Sequence, residues 1–183
     1  MLKITENPPI LYPDVASVAD ISGQWWVAHT KARNEKALAW NLLQAQISFF
    51  LPLREKLTVR KGRRYKSLLP LFSGYVFFCG DLQSRHKALT TNRIAQVIDV
   101  VDQSRLIHDL SQIHTVLSKG VRLDPHPYLK KGDRCRVTAG PLAGMEGLLL
   151  HKKNLTKLVL KVDILGQAAS VEIDADLLES IEK

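Results

Sequence analysis

The segment Lys131-Gly132-Asp133-Arg134-Cys135-Arg136-Val137-Thr138-Ala139-Gly140-Pro141-Leu142-Ala143-Gly144-Met145-Glu146-Gly147 constrains the fold of this chain more than any other. It reads as a turn, a short strand, a glycine-punctuated loop and then the apolar run Leu148-Leu149-Leu150. Glycine supplies backbone freedom where a chain reverses tightly, and Pro141 fixes φ just after the first reversal. The loop is followed by period-two stretches: Leu158, Leu160, Val162 and Ile164, then Val171 and Ile173. Lys153-Asn154 and Gly166-Gln167 supply turns between them. Several short strands at close spacing predict a small closed β-barrel over residues 130–183.

The preceding part alternates strands and helices. Trp25–Thr30 is a predicted strand, and a helix is expected from about Asn34 to Gln46, with Leu38, Leu42 and Ala45 on one stripe and Trp40, Leu43 and Ile47 on the next. Phe49–Leu53 is a strand whose Pro52 suits an edge or a bulge. Lys61-Gly62-Arg63 makes a hairpin tip, with a return arm from Tyr65 to Leu71. Gly74–Cys79 is nearly continuously apolar and reads as a central, buried strand. Asp81 is placed to cap a helix through about Leu89, and Ile94–Val101 is a further strand. Leu106, Leu110, Ile113 and Leu117 mark a third amphipathic helix. Residues 1–22, with Pro8, Pro9 and Pro13 and no sustained period, read as a flexible or loosely docked extension. Gly120 ends the third helix, and Asp124-Pro125-His126-Pro127 marks a linker over 120–129.

Charge narrows the function. The chain carries a net +8, yet from residue 131 onward eight basic residues face eight acidic ones, so the whole excess lies earlier. It concentrates between Arg54 and Lys66, where seven cations meet only Glu55. Seven cations on a projecting arm favour a polyanion, and Arg60, Lys61, Arg63, Arg64 and Lys66 are the expected contacts with nucleic-acid phosphates. Tyr65 is the only aromatic residue among them, so a stacking ladder for reading single strands is not supported.

No catalytic constellation stands out, and an enzyme is not expected. The six histidines sit in unrelated contexts without metal spacing, and no cofactor or metal is implied. Cys79 and Cys135 read as reduced, buried thiols. No apolar run approaches the roughly 20 residues that span a bilayer. Met1–Asp20 lacks the pattern of a secretory signal, so a cytoplasmic location is expected.

The Lys131–Gly147 segment, with its Gly-Asp, Gly-Pro and Gly-x-x-Gly elements between strands, resembles a KOW motif. Trp26-Val27-Ala28-His29-Thr30-Lys31-Ala32-Arg33-Asn34-Glu35-Lys36, Phe50-Leu51-Pro52-Leu53 and Leu71-Phe72-Ser73-Gly74-Tyr75-Val76-Phe77 resemble the N-terminal domain of NusG-type transcription elongation and antitermination factors. The family often has proline where Ser73 stands, and often aromatics in the barrel loop where Leu142 and Met145 stand. The linker and loop are more similar to specialised, operon-directed paralogues.

The resemblance implies an α+β fold. A NusG N-terminal type α/β sandwich over 23–119 would bind RNA polymerase, and a 120–129 linker would lead to an SH3-like KOW barrel. It further implies a monomer whose Phe72 and Tyr75 grip the clamp helices of the largest polymerase subunit. The basic hairpin would lie near the nucleic acid of the elongation complex. Leu142 and Met145 would be the apolar contacts of a loop that docks Rho or a small-subunit ribosomal protein. For Phe72 and Tyr75 the residues alone allow a second reading, as members of a buried strand. A ribosome- or RNA-binding KOW protein acting in translation is the alternative function. Some specialised paralogues store the second domain as a helical hairpin; the alternation over Leu158–Ile164 and the glycines favour strands.

Overall fold

The structure is a computed structural model that describes residues 6–60, 62–127, 132–152 and 155–181. The chain divides into two compact units, residues 1–103 and 104–183.

The first unit is built on a five-stranded antiparallel sheet in the order β1 (Leu11–Tyr12), β3 (Ser48–Phe50), β6 (Tyr75–Gly80), β2 (Gln24–Thr30) and β7 (Ile94–Asp99). The near-continuous apolar run of β6 occupies the middle because both of its faces are covered. Side chains alternate across a strand. Val76 and Phe78 therefore join Trp26, Ala28 and Phe49 on one face, under Leu38, Ala39 and Leu42 of α1 (Glu35–Gln44) and Ala88 of α2 (Leu82–Thr90). Phe77 and Cys79 point the other way with Trp25, Val27 and Phe50, and all of these are buried. Each large side chain buried in this way contributes about 1.5–3 kcal/mol of transfer free energy. The buried stripe of α1 is narrower than its sequence suggests: Ala45 and Trp40 are exposed. Asp81 caps α2 as its position predicts, its Oδ1 accepting from the Ser84 amide and hydroxyl at 2.8 Å each.

The expected Phe49–Leu53 strand is interrupted. β3 ends at Phe50, and β4 (Leu53–Arg60) starts a separate two-stranded sheet with β5 (Arg63–Pro70). Their register runs from Leu53 opposite Pro70 to Arg60 opposite Arg63. Lys61 lies outside the described residues, and so does the side chain of Arg60.

Residues 6–22 correct the expectation of a flexible extension. Leu11 pairs with Phe50 and Tyr12 with Phe49, and the Leu51 amide donates to Ile10 O at 2.7 Å. Ser17 and Asp20 close a reciprocal cap on a short turn, Val18–Asp20, and Val18 and Ile21 are buried. The prolines break helical and strand periodicity, but the open edge of β3 supplies partners that no local pattern announces.

The second unit comprises α3 (Gln103–Ser118, counted from Ser104) and an antiparallel sheet. The strand order is β13 (Leu178–Ser180), β9 (Arg134–Val137), β10 (Glu146–Lys152), β11 (Leu155–Val162), β12 (Gln167–Glu172) and β8 (Asp124–His126). This all-β module follows an α/β sandwich, the α+β architecture expected. β8 corrects the reading of 124–126 as linker. It pairs with β12, Asp124 opposite Ser170 and His126 opposite Ala168, and its Pro125 is tolerated because the strand is an edge. The expected Lys153-Asn154 turn lies outside the described residues, whereas Gly166 takes φ +57° before β12.

The unit boundary also differs from the expected 120–129. α3 groups with the β module, and three of its side chains bond there. Asp109 Oδ2 accepts from the Asp163 amide at 3.4 Å, Arg105 pairs with Asp163 at 3.3 Å, and Gln112 Oε1 accepts from the Glu146 amide at 2.9 Å.

Candidate interaction surfaces

The turn leaving β5 places the first candidate surface. Gly74, at φ +85°, occupies a conformation that a side chain resists, and a Cβ there would meet the His29 ring at 3.5 Å. The turn is held from two sides. The Gly74 amide donates to the buried Glu35 Oε1 at 2.7 Å, and the Thr30 amide donates to Gly74 O at 2.8 Å. Next to this anchor, half-buried Tyr75 stacks on exposed His29, with ring centroids 5.1 Å apart. One turn side earlier, Phe72 is only 1% exposed. Its ring meets Phe77 edge-on at 6.4 Å, and Phe77 in turn contacts Phe50 at 6.3 Å. The expectation that Phe72 and Tyr75 share a surface is corrected: Phe72 belongs to the core because the turn folds it back over β6, and Tyr75 alone reaches the surface. Glu35 is the residue that sequence reasoning missed. Its place in the first turn of α1 signals a helix-terminus acid. Nothing local signals a partner 39 residues away.

α1 and β7 are tied by a polar clamp beside this surface. Arg93 donates from Nε to Asn41 Oδ1 at 2.6 Å and from Nη1 to Asn34 Oδ1 at 2.9 Å. Lys36 Nζ donates to Leu68 O at 2.6 Å, and burial holds its pKa below the ordinary lysine value.

The basic hairpin is the second surface. Arg63, Arg64 and Lys66 are all exposed. Lys66 also pairs with Glu55 at 3.5 Å. Leu57, Val59 and Tyr65 are 57%, 66% and 46% exposed. The hairpin therefore carries apolar as well as charged surface.

The glycine loop of the β module behaves differently from expectation. Gly144, at φ +84°, lets the loop turn back so that its amide donates to Val137 O at 2.8 Å. That reversal drives Leu142 and Met145 inward, to 5% and 6% exposure. The idea that both are exposed docking contacts is corrected: they fill the module interior. Beside the loop lies a groove of about 480 Å³, lined by Val137, Pro141, Leu142, Leu155, Ile173 and Leu177 among others, with Glu172 and Asp174 contributing acidic groups. Leu142 reaches a partner surface only as part of that groove wall.

The module also holds charged groups in fixed pairs. Arg136 binds Glu146 Oε1 through Nη2 at 2.6 Å and Nε at 3.1 Å, which keeps the Glu146 carboxyl below the usual carboxylate range. Burial pushes the Asp109 carboxyl up to about 6, against the pull of Arg105. Burial also pushes the Cys79 thiol up to about 11, and the Cys135 thiol upward, so neither is a ready nucleophile. Among the described residues no group of three or more His, Cys, Asp or Glu side chains could hold a metal ion. No described helix is long and apolar enough to cross a membrane.

A family model described as transcription termination factor NusG matches residues 23–117. No curated relative matches. Among solved structures, the chain is similar to one described as domain interaction in Thermotoga maritima NusG. That match has 18% identity and a TM-score of 0.46, covering 88% of this chain and 98% of that one. It is also similar to a structure of an MjSpt4:Spt5 complex, with 12% identity and a TM-score of 0.25 over 87% of this chain and 97% of that one. Because the family match takes in more than half of the 183 residues, from β2 through α3, the chain belongs to the NusG family of transcription factors.

Proposed function

We propose that this protein is a transcription elongation factor that binds RNA polymerase and changes pausing, termination or antitermination, and that it is not an enzyme. The family match over residues 23–117 carries this reading. Residues 23–119 act as the polymerase-binding part and engage the clamp helices of the largest subunit. Tyr75, stacked on His29 and set by the Glu35–Gly74 bond, is the contact residue. A half-exposed aromatic on a rigid turn loses little side-chain freedom on binding, which is why such residues act as hot spots. The basic hairpin touches the nucleic acid of the elongation complex. The KOW module of residues 130–183 receives a second factor, Rho or a small-subunit ribosomal protein, along the groove that Leu142 lines. The loop and linker sequence supports an operon-directed role in the cytoplasm, with the protein acting as a monomer.

The test is binding of the full-length protein to core RNA polymerase. Tyr75→Ala should weaken binding by about 2 kcal/mol or more, the scale of an interface hot spot. Unchanged affinity, with circular dichroism confirming the fold, would remove Tyr75 from the contact. A null effect of the native chain on paused and terminated transcripts would refute the elongation-factor reading.

A further inference from the structure

The register of the hairpin sorts its residues into two unlike faces. Directly opposed residues of an antiparallel pair point to the same side, and successive residues alternate. Glu55, Leu57 and Val59 of β4 therefore share a side with their partners Leu68, Lys66 and Arg64 of β5. The Lys66–Glu55 ion pair at 3.5 Å, possible only on a common side, agrees with this assignment. The opposite side carries Arg54, Lys56 and Thr58, whose partners are Leu69, Ser67 and Tyr65, and also Arg63. Arg60 pairs with Arg63 in the register.

The two faces differ in chemistry. The first holds two cations, one of them already neutralised by Glu55, around two exposed aliphatic side chains. A polyanion laid there would trade hydration of its phosphates for contact with Leu57 and Val59. The second holds Arg54, Lys56 and Arg63 and no acid, and its one exposed aromatic, Tyr65, sits between them. Arg63 is two residues from Tyr65 along β5, about 6.8 Å at strand rise. Lys56 lies diagonally across the ladder from it, two residues from its partner Thr58. A ring flanked by cations on both sides matches a base flanked by its own phosphates.

We infer that the hairpin binds nucleic acid through the Lys56–Tyr65–Arg63 face alone, and that the Tyr65 ring stacks on an unpaired base of a single polynucleotide strand. The inference deepens the proposed function and rests on its reading of the hairpin as the nucleic-acid contact. It reassigns two of the expected phosphate contacts: Arg64 and Lys66 lie on the other face. A duplex hides its base faces except at its ends, so the stacked ring selects single strands, and the ring and the cations are indifferent to a 2′-hydroxyl.

The test compares two charge reversals of equal size in the full-length chain, Lys56→Glu with Arg63→Glu and Arg64→Glu with Lys66→Glu. Binding is measured by fluorescence anisotropy to a labelled 20-nucleotide oligo-dT, its oligo-rU counterpart and a mixed-sequence duplex over a range of salt. The first pair should weaken single-strand binding at least tenfold, and it should flatten the log–log salt dependence by about 1.4 for two lost phosphates. The second should change affinity less than threefold. Tyr65→Phe should bind like the native chain, and Tyr65→Thr, which keeps strand propensity, should lose roughly tenfold on single strands and little on duplex. Equal losses from the two charge pairs would overturn the face assignment. An unaffected Tyr65→Thr, or a native preference for duplex, would overturn the stacking. Failure of the native chain to bind any of the three probes would instead overturn the parent reading, a result separable from polymerase binding, which is measured without them.

Discussion

Substituting alanine at Gly147 tests how tightly the β module is packed where its glycine segment ends. Gly147 lies in β10 opposite Cys135, and its neighbour Leu148 pairs with Val159 of β11. A Cβ on Gly147 would stand 2.7 Å from Val159 O and 2.9 Å from Leu158 Cδ1. Carbon–oxygen contacts settle at about 3.3–3.6 Å, so β10 and β11 must separate by roughly 0.6 Å. The obstructing oxygen is backbone and cannot rotate away, and Leu158, Val159 and Leu160 are all buried, so β11 has no room to retreat. Overpacking of this kind costs about 1–3 kcal/mol. The reduced freedom of the unfolded chain returns about 0.4–1 kcal/mol, so the midpoints of the two ranges leave a net loss of about 1.3 kcal/mol. Gly132→Ala is the internal control. The nearest atom there, Leu148 Cβ, would be 3.5 Å away, an ordinary contact, so alanine should be neutral or slightly stabilising. Hydrogen exchange of the β9–β11 amides in the full-length protein reads both local free energies. If Gly147→Ala stays within about 0.5 kcal/mol of the native value, or Gly132→Ala costs as much, the packing argument is wrong.

Three further outcomes are expected. Asp109 has a folded pKa of about 6 against an ordinary 3.8, so its contribution to stability is fully present below about pH 4 and is lost as pH rises through 6. The span is on the order of 2 kcal/mol. Asp109→Asn should flatten the stability–pH curve of the full-length protein between pH 4 and 7, and an unaltered slope would show that another group sets it. Glu35→Ala strands the Gly74 amide and should cost about 1–3 kcal/mol in thermal or denaturant unfolding, whereas Glu35→Gln, which keeps an acceptor, should cost distinctly less. Phe72→Ala should destabilise by about 3–5 kcal/mol as a core cavity, well beyond Tyr75→Ala, and the reverse order would return Phe72 to the surface.

Much of the first unit was legible because its signals are local. The apolar run of β6 marks a strand covered on both sides, Asp81 marks a cap, and Gly62 marks a reversal. What stayed hidden depends on distant partners. An i, i+4, i+7 stripe shows that α3 buries Leu106, Leu110 and Ile113, but not that Asp109 and Gln112 bond to the β module. Phe72 and Tyr75 sit three residues apart in one apolar stretch, and only the fold of the turn sends one inward and the other out. Leu142 and Met145 likewise look like loop-tip contacts until the Gly144 reversal turns them inside. For the hairpin, the number of cations was plain from the sequence. The division into faces needed the register, since a slip of one residue would exchange them.

The family match begins at residue 23, but the sheet begins at Leu11. A protein trimmed to the matched segment would lose β1 and strip the outer row of β3 of its partners, including the 2.7 Å bond from the Leu51 amide to Ile10 O. Phe49 and Phe50 would then flank a bare strand edge, the kind of template that recruits a strand from a neighbouring molecule. In the folded chain, Leu11 and Tyr12 keep that edge paired.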